Sequence, residues 1–422
     1  MLDIKFIRDN PDKVKAAALL KNISIDLDAL LRLDDKILSL QKDYDDLRNK
    51  QNQHKKKPTP SELKDLKQTS ESLKTAESKI RDLKLKFDKL MLEVPNIPSP
   101  DVPVGKSDKN NIVKRIWGNP IRFDFKPKSH IDLATSLNIV DFDRGVKIAG
   151  FRNYFLKNEG VVLDMAISRY ALDFMQARGF ELMAPPIIAD ERYFVGSGHL
   201  PWFADEIYRI SDTKNNTQNL IGTSEVPLVG YHAGEILDHT DLPKRYAGIS
   251  QCFRTEIGSY GQDSKGLFRV HQFNKVEQVM LCEADPTVSK RWLQELLGIA
   301  ESFVSSLGLP YRIMQMCTGD MGASKVEMYD IETWMPSYAH YRETHSASNL
   351  GDFQSRRLNI RYRDKDGRLQ YPHTLNNTVV ATPRMLIPIL ENFQRKDGSV
   401  VIPDVLKPYT NFKVIEPKKK ID

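Results

Sequence analysis

Two apolar stripes of matching period, separated by a short proline-bearing segment, constrain the fold of this chain more than any other feature of its 422 residues. Leu30, Leu33, Ile37, Leu40, Tyr44 and Leu47 recur at alternating intervals of three and four, and Gln51 and His54 continue the count in polar form. That spacing predicts one stripe along a helix of about 30 residues. Lys57-Pro58-Thr59-Pro60 is expected to stop it, because proline lacks an amide donor and clashes with the preceding turn. Thr59 or Ser61 can cap a second helix, on which Leu66, Thr69, Leu73, Ala76, Ile80, Leu83, Phe87 and Leu90 repeat the stripe. The pair predicts an antiparallel coiled coil over about residues 27–92, projecting roughly 45 Å. Between Lys42 and Lys89 stand 14 basic and 9 acidic residues, so most of the chain's net charge of +6 sits here. Such an arm suits a spacer or dimerisation element with solvating lysines, or a lever gripping the phosphates of a polyanion. Its polar face carries no interleaved aromatics, so backbone and shape recognition are expected rather than base stacking.

Ahead of the arm, Asn10-Pro11 is expected to start a helix, with Asp12 favourable in its first turn. Pro95, Pro98, Pro100 and Pro103 break regular structure after the arm and place a domain boundary near residue 110, giving domains 1–110 and 111–422. In the second, GVVLDMAISRYALDFMQARGF reads as a strand end running into an amphipathic helix. LFRVHQFNKVEQVMLC reads as a strand, Ser289 to Leu307 as a helix, and SRRLNIRYRDKDGRLQYPHTL as two strands about an Asp-Gly turn. Frequent hairpins at irregular spacing predict an α+β fold, an antiparallel sheet flanked by helices. There is no GxGxxG, no GxxxxGK[ST] and no internal repeat.

Cys252, Cys282 and Cys317, 30 and 35 residues apart, form neither a disulfide framework nor a paired metal-ligand pattern. No run approaches the ~18 apolar residues of a bilayer span, and MLDIKFIRDNPDKV lacks a signal-peptide layout, so a cytoplasmic protein with no membrane contact is expected. The lysines ending the tail, Lys418 to Lys420, suit a solvated terminus or an RNA contact.

Three clusters carry chemistry. Gly222-Thr223-Ser224-Glu225 follows an apolar pair. Phe253-Arg254-Thr255-Glu256 precedes a loop with glycines at 258, 261 and 266, which reads as a flexible hairpin lid. Tyr338 to Asn349 forms the third, with Thr374 to Arg384 before a helix. Arg254 and Glu256, two apart on an expected strand, would face one side, one meeting a phosphate and the other an amine. Glu277, on the same face as Lys275, suits a substrate ammonium. Taken singly, each Arg–Glu pair could equally be a surface ion pair worth less than ~1 kcal/mol.

In their order along the chain these motifs resemble those of the class II aminoacyl-tRNA synthetases, and within them the seryl-tRNA synthetases of the common, non-methanogenic type. GFELMAPPIIADERYFVGSGHLP is similar to motif 1, with Pro186 matching a proline at the family's dimer interface. FRTEIGSYGQDSKGLFRVHQFNKVEQ resembles motif 2, VVATPRMLIPILENFQ motif 3, and GTSE the Thr-x-Glu serine-binding motif. Leu375-Asn376-Asn377-Thr378 and Pro383 before Arg384 replace the glycines usual in bacterial members, in a style closer to archaeal and eukaryotic ones.

The resemblance implies a homodimeric serine–tRNA ligase that activates L-serine with ATP and transfers it to tRNA(Ser), and also to tRNA(Sec). The arm would grip the long variable region of the tRNA. Thr223, Glu225, Glu277 and Thr378 would contact serine. Arg254 would orient the α-phosphate and the serine carboxylate, Thr255 would sit beside ATP, and Glu256 would meet the adenine amino group. Phe273 would stack on adenine against Arg384, which with Arg269 would also reach the γ-phosphate. The span Glu343, Thr344, His345 and Ser346 would contact ATP, with Glu343 and Ser346 as Mg²⁺ ligands; His345 itself is expected to pack or hydrogen-bond rather than act chemically. Two other readings compete: a paralogue that charges a carrier protein, and a tRNA-binding homologue without catalysis.

Overall fold

In the computed structural model, which describes residues 1–53, 60–211, 218–257 and 265–418, the two stripes are the facing sides of two long helices. The chain divides into two units, Met1–Ile97 and Pro98–Asp422. In the first, α1 (Ile4–Asp9) and α2 (Pro11–Leu20) precede α3 (Leu27–Gln53) and α4 (Pro60–Glu93). Asn10 separates α1 from α2; its side-chain amide closes α1 by donating to the Phe6 carbonyl (3.0 Å), and Pro11 opens α2. Ile7, Val14, Leu27 and Leu30 form a core with Met91 and Val94, so the start of α3 meets the end of α4 and the pair is antiparallel. Farther along, Leu33, Ile37, Leu40, Tyr44 and Leu47 on α3, and Leu66, Leu73 and Leu83 on α4, are half-buried. That is the signature of a two-helix seam with water on every other side. The expected stop at Lys57 to Thr59 and a cap from Thr59 lie outside the described residues, and Ser61 is already part of α4.

The second unit is built on an eight-stranded sheet. Its strands are β1 (Ile112–Trp117), β2 (Glu181–Met183), β3 (Lys244–Phe253), β4 (Gln272–Cys282), β5 (Tyr311–Gln315), β6 (Glu327–Met335), β7 (His340–Gly351) and β8 (His373–Ala381). Their spatial order is β1-β5-β6-β7-β8-β4-β3-β2. All neighbours are antiparallel except the parallel β2/β3 pair. The α+β architecture expected from the hairpins is the one observed. Apolar residues of α5 (Glu159–Gln176), α6 (Pro286–Ser306) and α7 (Thr382–Asn392) join those of the sheet in one large core that includes Leu163, Ile167, Leu297, Phe303, Ile331, Val379 and Leu386.

Four local expectations differ from the structure. GVVLDM lies wholly within α5, where Leu163, Ile167, Ala171 and Phe174 are buried at helical spacing. The units part at Ile97 and Pro98, ahead of residue 110, because the proline run is tied into the second unit: Ser99 N–H donates to the Val326 carbonyl, and Val102 packs among Met314, Met316 and Met328. Ser355 to Leu358 close a helix instead of a strand, and only Arg361–Arg363 and Leu369–Gln370 pair about the Asp366-Gly367 turn. Finally, Phe268 and Val270 are buried without being strand residues; ladder pairing resumes at Gln272.

Candidate active site

One face of β4, β7 and β8 floors a cavity of roughly 310 Å³. Alternation along β4 points Phe273, Lys275 and Glu277 into it. Register then brings in the neighbours, since Glu277 stands opposite Thr378 of β8 and opposite Gly248 of β3. Gly248 is needed there. A Cβ at that position would come within 2.9 Å of the Ser224 hydroxyl and 2.6 Å of Leu228, and the hydroxyl instead donates to the Gly248 carbonyl (3.2 Å). The Gly222-Glu225 turn can therefore lie directly on the sheet, setting Thr223 and Glu225 beside Glu277.

On β7, alternation points Ser348 and Ser346 into the cavity, while Thr344 borders it with its hydroxyl turned toward Thr333 and His345. A bulge, in which Ile331 and Glu332 face His345 and Glu343 with Thr344 as the extra residue, adds Glu343 to the same face. A second bulge, between Thr378 and Val380, lies in β8. Arg384 enters from the first turn of α7, just after Pro383.

Ion pairs link these groups. Lys275 Nζ lies 2.5 Å from the Glu277 carboxylate and 3.2 Å from the Thr223 hydroxyl. Burial pushes the Glu277 carboxyl above the usual range, and Lys275 opposes the shift. Gln354 donates from Nε2 to Glu225 Oε1 (2.7 Å) and to the Ser197 carbonyl (2.8 Å). Arg384 Nη1 lies 3.1 Å from Glu343 Oε1. Burial would raise the Glu343 carboxyl, but Arg384, Arg254 and Arg269 together hold it below its ordinary value. Behind it, burial and the charge of Glu343 push Asp330 well up, with Ser346 bonded to it.

Arg254 is fixed at both ends. Its backbone N–H donates to the His271 carbonyl (3.0 Å), its Nε donates to the Gly222 carbonyl (3.2 Å), and its guanidinium lies 5.7 Å from the Phe273 ring centroid. It stands just past the end of β3 rather than on a strand. The ladder closes at Phe253, and Glu256 takes a left-handed backbone (φ 52°) that brings its side chain to Arg269 Nη1 (3.2 Å). Arg254 and Glu256 still share the cavity, placed there by a turn instead of by strand alternation.

Arg254, Glu256, Thr223, Glu225, Glu277, Thr378, Phe273, Glu343, Thr344, Ser346 and Arg384 thus line one cavity. Arg269 reaches it through Glu256. Thr255 does not line it; its N–H donates to the Glu206 carbonyl (3.1 Å), anchoring a cavity residue. His345 does not line it either. It is buried in the sheet with Nε2 2.8 Å from the Val379 carbonyl and Nδ1 2.8 Å from the Thr344 hydroxyl, and burial lowers its pKa to about 4. That leaves it neutral and hydrogen-bonded. Arg384 rests on Phe268, 4.8 Å from the ring centroid. Residues 258–264 of the expected hairpin lid lie outside the described residues.

Sequence reasoning missed Lys325, Glu206, His199 and Asn376 as lining residues. Asn376 could have been found two residues before Thr378 on the same strand face. Lys325 and Glu206 come from connections with no periodic signal. Among the described residues no cluster of three or more His, Cys, Asp or Glu side chains could hold a metal by itself.

The description of the tRNA synthetase class II core domain (G, H, P, S and T) matches residues 208–393, and that of the seryl-tRNA synthetase N-terminal domain matches residues 1–98. The chain is 44% identical to the serine–tRNA ligase of Deinococcus radiodurans, over 97% of each chain. It is 40% identical to that of Pyrococcus horikoshii, over 100% of this chain and 98% of the relative. Among solved structures, the seryl-tRNA synthetase from Pyrococcus horikoshii complexed with ATP superposes with a TM-score of 0.90 (39% identity, 99% of this chain and 100% of that one). The cytoplasmic serine–tRNA ligase from Naegleria fowleri in complex with AMP gives 0.88 (30% identity, 99% of each chain). Matched over its whole length in sequence and in fold, the chain belongs to the seryl-tRNA synthetase family of class II aminoacyl-tRNA synthetases, and it is an enzyme of that family.

Proposed function

We propose that this serine–tRNA ligase forms seryl-adenylate from L-serine and ATP in the cavity over β4, β7 and β8, and passes the seryl group to the 3′ end of tRNA(Ser). The observation that carries this reading is the convergence there of two buried carboxylates, Glu225 and Glu277, with two guanidiniums, Arg254 and Arg384. Glu225 and Glu277 receive the serine ammonium, and Thr223 and Thr378 offer hydrogen bonds. Arg254, tied to Gly222 of the Thr-x-Glu turn, bridges the serine carboxylate and the α-phosphate in this reading. Glu256 accepts from the adenine amino group, Phe273 and Arg384 flank the ring, and Arg384 with Arg269 meets the γ-phosphate. Thr344 lines the ATP side, while Thr255 and His345 support their neighbours. Relatives solved with ATP and with AMP support a nucleotide in this cavity.

A serine carboxylate is already ionised at neutral pH, so its oxygen attacks the α-phosphorus without a general base, and pyrophosphate leaves. The protein supplies orientation and fixed positive charge for the transition state. The Glu343 carboxylate and the Ser346 hydroxyl, both on β7 and both lining the cavity, are oxygen donors of the kind that fit Mg²⁺, which favours one or two carboxylates plus phosphate oxygens. When bound, Mg²⁺ would neutralise charge on the phosphates. In the second step the terminal ribose hydroxyl attacks the seryl carbonyl, the acyl–phosphate bond breaks and AMP leaves, with the adenylate phosphate accepting the proton. A site built to bond the serine hydroxyl leaves polar groups unpaired with alanine and excludes threonine by volume.

The first unit would be the tRNA-binding domain and the second the catalytic one, with charging extending to tRNA(Sec). Exposed Met165, Leu182 and Ile188, on α5, on β2 and just after it, support a homodimer through the motif 1 region. Charging of tRNA implies a cytoplasmic setting in this reading, and no helix among the described residues is long and apolar enough to cross a membrane. Nothing observed favours a carrier-protein ligase or an inactive homologue. The test is ATP–pyrophosphate exchange with each standard amino acid, followed by charging of tRNA(Ser). Serine-dependent exchange and charging are expected. No exchange with serine, or exchange with acylation of a carrier protein in place of tRNA, overturns the reading.

A further inference from the structure

Behind the cavity lies a polar network that none of the roles above uses. Glu391, on α7, is completely buried, and so, to within 1%, is His130. The Glu391 carboxylate accepts from the His130 backbone N–H (2.9 Å), from the Ser337 backbone N–H (2.9 Å) and from the Ser337 hydroxyl (2.7 Å). His130 Nδ1 lies 3.0 Å from the same carboxylate. The opposite ring nitrogen, Nε2, accepts from the Leu267 backbone N–H (3.4 Å). A nitrogen that accepts a backbone N–H carries no proton, so the proton of the neutral ring sits on Nδ1 and is donated to Glu391. The contact is close: a Cβ on Gly266 would stand 2.2 Å from His130 Nε2, and Gly266 has φ +83°.

The chain that Leu267 belongs to is the return limb of motif 2. The next residue, Phe268, accepts Arg384 Nε at its carbonyl (3.3 Å), and its ring lies under the guanidiniums of both Arg384 and Arg342. Arg384 and Glu391 are seven residues apart on α7, close to two turns, and so lie near one face of that helix. The contacts therefore close a ring: Glu391 holds His130, His130 holds Leu267, and Phe268 holds Arg384, which stands on the helix that carries Glu391.

We propose that His130 and Glu391 are positioning residues for Arg384, fixing the Leu267–Phe268 platform on which its guanidinium rests. This depends on the reading of Arg384 as an ATP-binding group. Neither residue touches substrate. Loss of the Leu267 anchor lets the platform shift and weakens ATP binding, while the serine pocket, held by β4, β8 and the Gly222–Glu225 turn, keeps its geometry.

The test is serine-dependent pyrophosphate exchange by the full-length protein, with KM for ATP, KM for serine and kcat measured separately beside a thermal melt. His130→Asn keeps a donor for Glu391 but is too short to reach Leu267; it is expected to raise KM for ATP roughly tenfold and leave KM for serine within about twofold. His130→Gln, whose longer amide carries an acceptor to the position of Nε2, is expected to recover most of that loss. If His130→Asn does not fold, Glu391→Gln, whose amide N–H₂ must face either the Ser337 N–H or the imidazole N–H and so loosens the network, is expected to raise the same KM. In the Arg384→Ala background, His130→Asn should add less than about twofold, since the two act in series. An unchanged KM for ATP in His130→Asn, with Arg384→Ala impaired, overturns the positioning role. So does an equal loss in the Asn and Gln variants with both Michaelis constants moved alike. If Arg384→Ala itself binds ATP normally, the fault lies in the reading of Arg384, and the proposal falls with it.

Discussion

Arg254 gains its leverage from the groups that hold it. The Gly222 carbonyl, the His271 carbonyl and the Phe273 ring hold it in place, so in the proposed mechanism little reorganisation would be left for the transition state. Arg254→Ala is expected to lower kcat for adenylate formation by ~10²-fold or more, the size seen when one fixed transition-state donor is lost. Pyrophosphate exchange within threefold of wild type would contradict this. Residues of this kind were legible because they sit in short, chemically distinctive strings: Thr223 with Glu225, Arg254 with Glu256, and Glu277 opposite Lys275 in charge. Lys325 and Asp330 were not. Each depends on which loop or strand lies behind the cavity, and no local pattern carries that information. His345 shows that a string also overstates its members. It lies between two lining residues, yet period-2 alternation turns it into the sheet, where burial keeps it neutral.

At the scale of elements, the coiled coil was the most legible part of the chain, because the seam repeats and each repeat tests the last. Helix ends and strand irregularities were the least legible. The bulges at Thr344 and near Val379 add one residue to a ladder, and a reading of strict alternation has no place for it. Yet the first of these sets Glu343 facing Arg384. The arm itself offers a clean dissection. Leu27, Leu30, Met91 and Val94 form the base core, so removing residues 36–84 and joining the helices, about 10 Å apart, by a short Gly/Ser linker should leave that core intact. Serine-dependent exchange is expected to stay within about twofold, while charging of tRNA(Ser) falls by ~10²-fold or more, since the basic surface of the seam would be gone. Unimpaired charging by the shortened protein would assign the arm some other task.

For the whole molecule, the proposed homodimer would cover apolar side chains in and near motif 1, Met165 (66% exposed), Ile188 (43%) and Leu182 (37%). Sedimentation is expected to give about twice the 48.4 kDa chain mass, and Met165→Asp to shift the population toward single chains. A wild-type protein that sediments as one chain would refute this. The strand order carries a consequence for synthesis as well. β8, the last of the eight strands in the chain, is inserted between β7 and β4, near the middle of the sheet. A growing polypeptide can assemble β1-side and β2-side halves, but it cannot join them until residue 381 has left the ribosome. Until then β7 and β4 each present a bare edge of unpaired amides and carbonyls, the surface on which strands of other molecules add. A message broken before His373 would therefore yield not merely an inactive product but a sticky one, and chaperone demand should peak before residue 381 emerges.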